Sequence, residues 1–558
     1  MVRDLVIALS LANLFFFVVW AELLPGAPAH YFMQGPPPRV AFTAACVNVL
    51  LATIAFWCTV RLVRRVDHPV STLLGEVGFL AVVVVILNGL RLKIPFLQSA
   101  TSTSTGLLTQ PFILVGGALI AVLWLHRKVF RIAAVLVLIM APFALVTLGR
   151  ACWTWIRYDV AFPDFLSREG PLAVDAGAMP ARRVLWLVFD ELDQRLAFEH
   201  RPSSVDLPEF DRFSSESIVA TSAYPPANDT LHSIPALITG RIVAEARPAS
   251  ANDLLIRFAG STDEVPWSEQ ENAFSRARAI GVNCGLVGSY HPYCRVLGAE
   301  LAECAWQQWR RNVSFDALGT MLTQSAQVVE ALPGSRHIGL NQSLRTLLGD
   351  ALGPTRRSLA IRAYQDSLVS VKRIVNRPDL GLIFVHLPVP HPPYIFRRTT
   401  GEFARTGDSS YFDNLVLADR AFGEIRRAME NAAMWNETSI VVTADHGYRT
   451  ELWHSKIPSN GEEAQIVGDT VDTRVPFMFK VPGQKSGVMY SRRLEIVRAQ
   501  DLVLALLTAE ITNVAAALAW LDEDRQNKTA PIGQQAHGSR MVRDWLGAPE
   551  GGSSACAV

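Results

Sequence analysis

The sequence predicts an α/β domain that follows an N-terminal bundle of five transmembrane helices. Apolar spans of about 20 residues are concentrated in the first 150 positions, and short apolar runs alternate with helical stretches in the remainder. The chain has 558 residues, of which 50% are hydrophobic, so it is too long for one ordinary domain and apolar enough for a membrane part. The net charge of +1, without any run of basic residues, gives no support for a nucleic-acid partner.

Five apolar stretches in the N-terminal part have the length of transmembrane helices. Four of them carry no charged residue, and the third carries Glu76. A cleaved signal peptide is an alternative for the first stretch, which lies between MVRD and PGAPAH. We favour a retained helix, because the apolar run is long and four further spans follow. The predicted spans are Leu5–Ala21, Val40–Val60, Pro69–Leu90, Leu107–Leu125 and Ile132–Leu148.

The distribution of Lys and Arg predicts how these spans are oriented. The links after the second and fourth spans each hold three basic residues, whereas Leu24–Pro38, after the first span, holds none. Arg91 and Lys93 weaken the pattern after the third span. On balance the N-terminus lies inside, and five spans then place everything after Arg150 outside. In a bacterium this predicts a multi-pass protein of the inner (cytoplasmic) membrane whose globular domain faces the periplasm.

Five short apolar runs after the membrane part predict buried strands. Runs without alternation are typical of parallel strands, and helices are predicted between them over Thr355–Asn376 and Asn414–Ala433. Strands that alternate with helices predict an α/β/α sandwich, in which ligands bind at the carboxyl ends of the strands. The predicted domains are 1–150 (transmembrane), 151–180 (membrane-surface connector), 181–525 (α/β domain) and 526–558 (C-terminal tail). The five runs are VLWLVFDE, CGLVGSY, LGLIFVHL, SIVVTADHG and VPFMFKVPG.

Three of the seven cysteines, Cys284, Cys294 and Cys304, lie close together in the predicted α/β domain. An oxidising compartment would permit one disulfide among them, and the sequence leaves the pairing open. None of the cysteine spacings is that of a zinc site.

Three of the predicted strands end in residue types that commonly bind metals. Paired acids follow one strand, an Asp-His pair follows another, and two histidines lie in or just after a third. Each is weak evidence alone, because an acid after a strand is often a helix cap and a histidine between prolines often belongs to a turn. Together they predict a site for zinc or another divalent cation at one sheet edge. These residues are Asp190, Glu191, His386, His391, Asp445 and His446, with His454 shortly after.

The stretch NDTLHSIPALITGR (Asn228–Arg241) contains a threonine at the start of a predicted helix that ends at Gly240. In the structural interpretation, Thr230 is an N-cap residue. In the functional interpretation, its hydroxyl lies where the backbone N–H groups of a helix receive an anion. Bound to a divalent cation, this hydroxyl would lose its proton more easily and could attack a phosphoryl group.

The motifs around these residues resemble those of the sulfatase and alkaline phosphatase superfamily. In sulfatases a cysteine that is modified to formylglycine lies nine residues before the threonine of a Thr-Gly-Arg motif. Thr230 lies nine residues before Thr239 here, and TGR is intact, so the resemblance implies that Thr230 is the nucleophile. Formylglycine cannot form at a threonine, which argues against sulfate-ester hydrolysis by the usual route. The resemblance implies that the metal ligands are Asp190, Glu191, Thr230, Asp445 and His446.

The membrane-bound branch of this superfamily is more similar still. Phosphoethanolamine transferases and lipoteichoic acid synthases have five spans, an outward catalytic domain and a threonine nucleophile. The Thr-x-x-Ser-Val-Pro context of the former is similar to TLHSIP in this chain. The resemblance implies that residues 181–525 form a sulfatase-like catalytic domain and that His391 or His454 acts as the acid. It leaves open whether Asp190 or Glu191 faces the metal.

The sequence therefore predicts an integral membrane, metal-dependent transferase. It would move a phospho-headgroup from a membrane phospholipid donor to a glycan or lipid acceptor through a covalent phospho-threonine. The histidines favour zinc, with manganese or magnesium as alternatives. One alternative is a hydrolase of phosphate or sulfate esters on the same fold. Another is a non-catalytic membrane protein that retains the fold for binding.

Overall fold

The computed structural model describes two parts of the chain, which we call the helical half and the α/β half. The predicted span Leu107–Leu125, most of the predicted connector and nearly all of the predicted C-terminal tail lie outside the described residues. In the helical half the described residues are 2–24, 30–33, 35–66, 68–93 and 127–161. In the α/β half they are 182–308, 316–332, 355–405, 408–454 and 472–527.

Within the described residues, three helices are long and apolar enough to cross a membrane. A bent pair, α1 (Val2–Phe15) and α2 (Phe17–Leu23), adds a fourth crossing if its two helices, 59° apart, form one span. These elements coincide with the first, second, third and fifth predicted spans, so the five-helix bundle is supported only to this extent. The long helices are α3 (Arg39–Val66), α4 (Pro69–Lys93) and α5 (Arg127–Ile156).

Ion pairs at the helix ends define the directions of these helices. Asp4 at the start of α1 pairs with Arg64 near the end of α3 at 2.6 Å. Lys93 at the end of α4 pairs with Glu22 in α2, also at 2.6 Å. The bent pair and α4 therefore run in one direction and α3 runs in the other.

The α/β half is built on a nine-stranded sheet with the order β13-β2-β12-β11-β1-β8-β6-β7, and β14 also pairs with β2. In its centre β1 is parallel to β8 and β11, and β6 is parallel to β8 and β7. The first eight strands are β1 (Val184–Phe189), β2 (Ile218–Tyr224), β3 (Val243–Pro248), β4 (Leu254–Phe258), β5 (Glu264–Pro266), β6 (Cys284–Gly288), β7 (Glu303–Trp306) and β8 (Leu382–Leu387). The others are β9 (Phe396–Arg397), β10 (Glu402–Phe403), β11 (Ser439–Ala444), β12 (Val475–Lys480), β13 (Val488–Tyr490) and β14 (Leu494–Glu495).

The prediction that all five apolar runs are parallel strands is wrong for one of them. β12 is antiparallel to both of its neighbours, β11 and β2. Every residue of β12 is buried, as in β1, β8 and β11. A continuous apolar run therefore reports burial on both faces of the sheet and says nothing about strand direction.

Both helices that the sequence predicts between the strands are present in the α/β half. They begin after N-cap residues Thr355 and Ser410, whose side chains accept backbone N–H groups of the first turn. The short helix α6 (Tyr158–Ala161) still belongs to the helical half. The helices of the α/β half begin with α7 (Pro208–Ser214), α8 (Thr230–Thr239), α9 (Ala273–Ala279), α10 (Tyr293–Val296) and α11 (Ala317–Glu330). They continue with α12 (Arg356–Ile374), α13 (Tyr411–Asn431), α14 (Thr450–His454), α15 (Ala499–Leu507) and α16 (Val514–Asn527).

Among the described residues, the helical half touches the α/β half in two regions. In the first, α11 packs along α3, where Asn48 donates to Gln324 at 3.1 Å and Gln324 donates to the Ala41 carbonyl at 2.8 Å. In the second, Tyr31 and Phe32, from the link after α2, are part of the buried core of the α/β half. The link and the α/β half therefore lie at the same end of the apolar helices.

One disulfide, Cys294–Cys304, forms among the three clustered cysteines, and Cys284 is free and buried. The sequence predicts one such bond without its pairing. The bond closes the segment that begins at α10 and ends in β7.

Candidate active site

Asp190, Asp445 and His446 meet at one edge of the sheet. One ligand atom from each lies within 4.8 Å of the others, and all three residues are buried. β1 and β11 are parallel neighbours, with Phe189 opposite Ala444. The residues that follow these two strands therefore emerge side by side, which is how the sequence brings them together.

The Thr230 hydroxyl lies at the same point. Its Oγ1 is 3.5 Å from Asp190 Oδ1 and 3.3 Å from His446 Nε2. Thr230 is the first residue of α8, and the N-cap is Asp229, whose carboxylate accepts the backbone N–H of His232. The N-cap interpretation of Thr230 is therefore wrong, because Asp229 provides the capping oxygen and leaves the Thr230 hydroxyl directed at the cluster.

Asp229 places a negative charge beside Thr230. Burial alone would raise the pKa of this carboxyl, but the ion pair and hydrogen bonds with His232 outweigh it and hold the pKa below its ordinary value. Burial likewise favours neutral His232, yet the Asp229 carboxylate at 2.7 Å raises the pKa of His232. Each partner therefore favours the charged form of the other, and the pair holds the first turn of α8.

The donor set fits a divalent cation. Asp445 Oδ1 accepts the backbone N–H groups of Glu191 and His446, which leaves Oδ2 facing His446 Nε2 at 3.5 Å. This Oδ2 is buried and has no hydrogen-bond partner within the described part of the chain. Burying Asp190 and Asp445 next to each other is costly unless a cation compensates their charge. Two carboxylates and one imidazole suit zinc, and also manganese.

Glu191 does not join this group. Its backbone has a φ of 69°, and its Oε1 accepts from Arg449 Nε at 3.0 Å and from Trp453 Nε1 at 2.6 Å. The structure thus distinguishes the two adjacent acids, a choice that the sequence leaves open. Asp190 faces the cluster, and Glu191 forms a buried ion pair on the other side of the turn.

Neutralising these two acids is expected to have different effects. Glu191→Gln removes the charge that pairs with Arg449, so the free energy of unfolding is expected to fall by about 1–3 kcal/mol while bound metal is retained. Asp190→Asn, the matched change one residue earlier, is expected to lose the metal. Thermal unfolding and elemental analysis of both purified variants measure these effects. Metal loss in Glu191→Gln together with full occupancy in Asp190→Asn would contradict the assignment.

His391 lies beside the cluster with both ring nitrogens engaged. Its Nδ1 is 2.5 Å from the Pro392 carbonyl oxygen, and its Nε2 accepts from Arg449 Nη2 at 3.0 Å. Burial and the Arg449 charge hold the pKa of His391 well below its ordinary value, so the ring is neutral with its proton on Nδ1. Arg449 must release Nε2 before this nitrogen can serve as an acid. The side chain of His454, the other predicted acid, lies outside the described residues.

His386, in β8, also faces the cluster, on the side of Asp445. Its Nδ1 lies 2.9 Å from the Tyr293 hydroxyl and 3.1 Å from the Ser289 carbonyl oxygen. We assign the proton to Nδ1, because the carbonyl can only accept whereas the hydroxyl can also accept. Its Nε2 is then a lone pair 3.9 Å from Asp445 Oδ2. The ring is fully buried, and Nε2 has no hydrogen-bond partner among the described residues. Two buried acceptors that face each other indicate that a positive charge belongs near them.

Replacing His386 is therefore expected to weaken metal binding. His386→Phe keeps a ring of similar size and removes Nε2, and the dissociation constant for zinc is expected to rise roughly 10- to 100-fold. Tyr293→Phe is the comparison variant: it removes a hydroxyl 2.9 Å from Nδ1 but keeps Nε2, so the constant is expected to rise less than in His386→Phe. Metal titration of the purified full-length protein measures both. An unchanged constant in His386→Phe would show that this ring does not serve the site.

Four residues that shape the site are not predicted from the sequence: Asp229, His291, Tyr293 and Arg449. Asp229 has a detectable signal, because aspartate directly before a helical run is a preferred N-cap. Of the other three, His291 and Tyr293 come from one segment and Arg449 from another, and both segments are far from Thr230 in the chain. Their positions relative to Thr230 and Asp445 depend on how those segments cross the sheet edge.

Comparison with known proteins finds one family model that matches the second part of the α/β half. Residues 371–509 match the family model described as Sulfatase. The matched range includes His391, Asp445 and His446, whereas Asp190 and Thr230 lie before it.

Among curated proteins, iduronate 2-sulfatase of Homo sapiens is similar to part of this chain. It is 27% identical over 115 residues, which are 21% of this chain and 18% of that protein. The match thus spans less than a fifth of the length of that relative.

Three solved structures illustrate the range of distant structural similarity to this chain. The PsFucS1 sulfatase from Pseudoalteromonas sp. is 15% identical with a TM-score of 0.38, covering 60% of this chain and 68% of that one. The phosphonate monoester hydrolase of Agrobacterium radiobacter is 14% identical with a TM-score of 0.35, covering 61% and 77%. The lipoteichoic acid synthase LtaP from Listeria monocytogenes is 11% identical with a TM-score of 0.35, covering 60% and 74%. At this distance we transfer no property from them to this chain.

Proposed function

We propose that this chain is an integral membrane, metal-dependent transferase that moves a phospho-headgroup from a membrane phospholipid to a glycan or lipid acceptor. The observation that carries the proposal is the position of the Thr230 hydroxyl, 3.5 Å from Asp190 and 3.3 Å from His446. Threonine cannot become formylglycine, so the nucleophile that this position offers is the hydroxyl itself. An alcohol oxygen at a helix N-terminus is suited to attack a phosphoryl group, because the N–H groups there favour an anion.

Asp190, Asp445 and His446 would hold the cation, with the Thr230 oxygen beside them. Zinc is favoured, with manganese or magnesium as alternatives. A divalent cation bound there supplies positive charge that favours ionisation of a nearby hydroxyl and offsets the charge of a phosphoryl group. Asp445 accepts two backbone N–H groups through Oδ1, so its orientation toward the site is held by the turns after β1 and β11.

The proposed reaction has two balanced steps. In the first, Thr230 Oγ1 forms a bond to phosphorus while the bond from phosphorus to the diacylglycerol oxygen breaks. The hydroxyl proton leaves toward Asp190 Oδ1, which Oγ1 already faces. The diacylglycerol oxygen takes a proton from His454, or from His391 once Arg449 has released Nε2 and that nitrogen has been protonated. In the second step, the oxygen of an acceptor hydroxyl forms a bond to phosphorus while the bond from phosphorus to Thr230 Oγ1 breaks. Oγ1 regains its proton from Asp190, and the proton of the acceptor hydroxyl returns to the histidine.

The membrane setting is supported by the helical half. A lipid donor requires a site near the bilayer, and Tyr31, at the end of the first apolar segment, is buried in the α/β half. The Cys294–Cys304 disulfide fits an oxidising compartment. We therefore propose a bacterial inner-membrane location with the α/β half in the periplasm. With the predicted span Leu107–Leu125 included, four crossings separate the link after α2 from the α/β half, so both would lie on that side.

The test is intact-protein mass spectrometry of the full-length protein after incubation with native membrane phospholipids. Wild type is expected to gain a mass that maps to Thr230, and Thr230→Ala is expected to gain none. The size of the adduct would also distinguish an ethanolamine from a glycerol headgroup. With metal confirmed in the site, the absence of an adduct on both proteins would contradict a stable phospholipid-derived intermediate.

A hydrolase of phosphate or sulfate esters is the second candidate, and the match of residues 371–509 to the Sulfatase family model favours it. Transfer to water needs no acceptor site, so headgroup release without a labelled glycan or lipid would support it. A non-catalytic binding protein is the third candidate. It predicts no bound metal and no effect of Thr230→Ala.

A further inference from the structure

We infer that the link after the first apolar segment completes the active site, because Tyr31 positions Thr230 through His291. Tyr31 is thus a positioning residue supplied by the helical half. The contacts of Tyr31 and His291 follow from the geometry alone. Their effect on the reaction rate rests on the proposed role of Thr230 as the nucleophile.

The first contact joins the link to the α/β half. Tyr31 is fully buried, and its hydroxyl lies 2.8 Å from Nδ1 of His291, which is fully buried too. The His291 ring also packs edge-on against Trp267, with ring centroids 5.1 Å apart. A buried tyrosine hydroxyl requires a hydrogen-bond partner, so this contact anchors the link in the core.

The second contact joins His291 to the nucleophile helix. His291 Nε2 lies 3.1 Å from the carbonyl oxygen of Thr230. A carbonyl oxygen can only accept, so the ring proton lies on Nε2, and Nδ1 must accept from the Tyr31 hydroxyl. One neutral tautomer of His291 satisfies both partners, and the Tyr31 hydroxyl supplies the donor that this tautomer requires at Nδ1.

Arg295 holds the same link from its other side. Its guanidinium donates to the carbonyl oxygens of Tyr31 at 2.8 Å and Met33 at 3.0 Å. Arg295 directly follows Cys294, whose disulfide with Cys304 ties this segment to β7. The α/β half therefore holds the link at two points: His291 contacts the Tyr31 side chain, and Arg295 contacts backbone carbonyl oxygens of the link.

The consequence for chemistry follows from the position of Thr230. This residue carries both the carbonyl held by His291 and the hydroxyl directed at Asp190 and His446. A shift of the carbonyl therefore displaces the hydroxyl, and a misplacement of about 1 Å can lower a rate roughly 100-fold. Two hydrogen bonds thus connect the apolar helices to the nucleophile. These bonds would hold the site at a fixed position relative to the bilayer surface, where a lipid headgroup lies.

Hydrogen–deuterium exchange tests the positioning independently of any substrate. Full-length Tyr31→Phe in lipid nanodiscs is expected to exchange about tenfold faster than wild type in the segment 229–241, because a buried acceptor loses its donor. Tyr158→Phe is the matched control. It removes a hydroxyl that donates to the Pro37 carbonyl at 2.7 Å in the same link, away from His291, and it is expected to leave segment 229–241 unchanged.

The rate of Thr230 adduct formation provides the second readout. Tyr31→Phe is expected to slow it about 10- to 100-fold at unchanged metal content. In a His291→Leu background, Tyr31→Phe should have no further effect, because Tyr31 acts through that ring. His291→Gln retains one donor and one acceptor and is expected to keep most of the rate.

Unchanged exchange in Tyr31→Phe would overturn the inference, and so would equal changes in Tyr158→Phe. Additive effects of Tyr31→Phe and His291→Leu would overturn it as well. If wild type forms no adduct at all, the proposed transfer fails, and the exchange of segment 229–241 still decides whether Tyr31 positions the helix.

Discussion

Thr230→Ala is expected to lower turnover of the phospholipid donor by on the order of 10³-fold or more, because the substitution removes the attacking oxygen. The fold and the metal should remain. Asp229, not Thr230, caps α8, and the Thr230 carbonyl that His291 holds belongs to the backbone. Single-turnover rates and elemental analysis of the purified full-length protein measure the two effects separately.

Thr230→Ser is the matched control for this experiment. It keeps a hydroxyl at the same backbone position, so activity is expected to remain measurable and an adduct should map to Ser at the substituted position. Turnover by Thr230→Ala at the wild-type rate, with metal bound, would exclude Thr230 as the nucleophile. It would point instead to an oxygen that does not come from this helix.

Asp445→Asn is expected to remove the metal and the activity together. Asparagine can keep an oxygen for the backbone N–H groups of Glu191 and His446, and it replaces Oδ2, which faces His446 Nε2, by a donor. The loss of metal affinity should exceed the roughly 100-fold typical of residues behind the ligands. Chelation of wild type should reproduce the loss of activity, and added zinc should reverse it in wild type alone.

Asp419→Asn is the matched control for Asp445→Asn. Asp419 is also a buried carboxylate that accepts backbone N–H groups, in this case those of Glu209 and Phe210, but it belongs to α13. Its substitution is expected to lower stability and to leave the metal content unchanged. Full metal occupancy in Asp445→Asn, or equal metal loss in both variants, would contradict the assignment of Asp445 as a ligand.

Several features of this protein follow from local sequence pattern. Three of the predicted apolar spans coincide with α3, α4 and α5, because length and apolar character alone make a helix able to cross a membrane. The continuous apolar runs coincide with β1, β6, β8, β11 and β12, because strands buried on both faces need apolar residues at every position. Since Asp190 and Asp445 directly follow two such strands, the position of the acidic cluster could be predicted as well.

The tertiary structure decided the rest. The sequence leaves the choice between Asp190 and Glu191 open, because the direction of each side chain depends on the turn after β1 and on Arg449, which is 258 positions from Glu191. The composition of β12 does not indicate whether it is parallel or antiparallel to its neighbours, because a buried strand is apolar in either case. The contact of Tyr31 with His291 joins residues 260 positions apart. Hydrophobic pattern reports whether a side chain is buried, whereas its partners depend on the path of the whole chain.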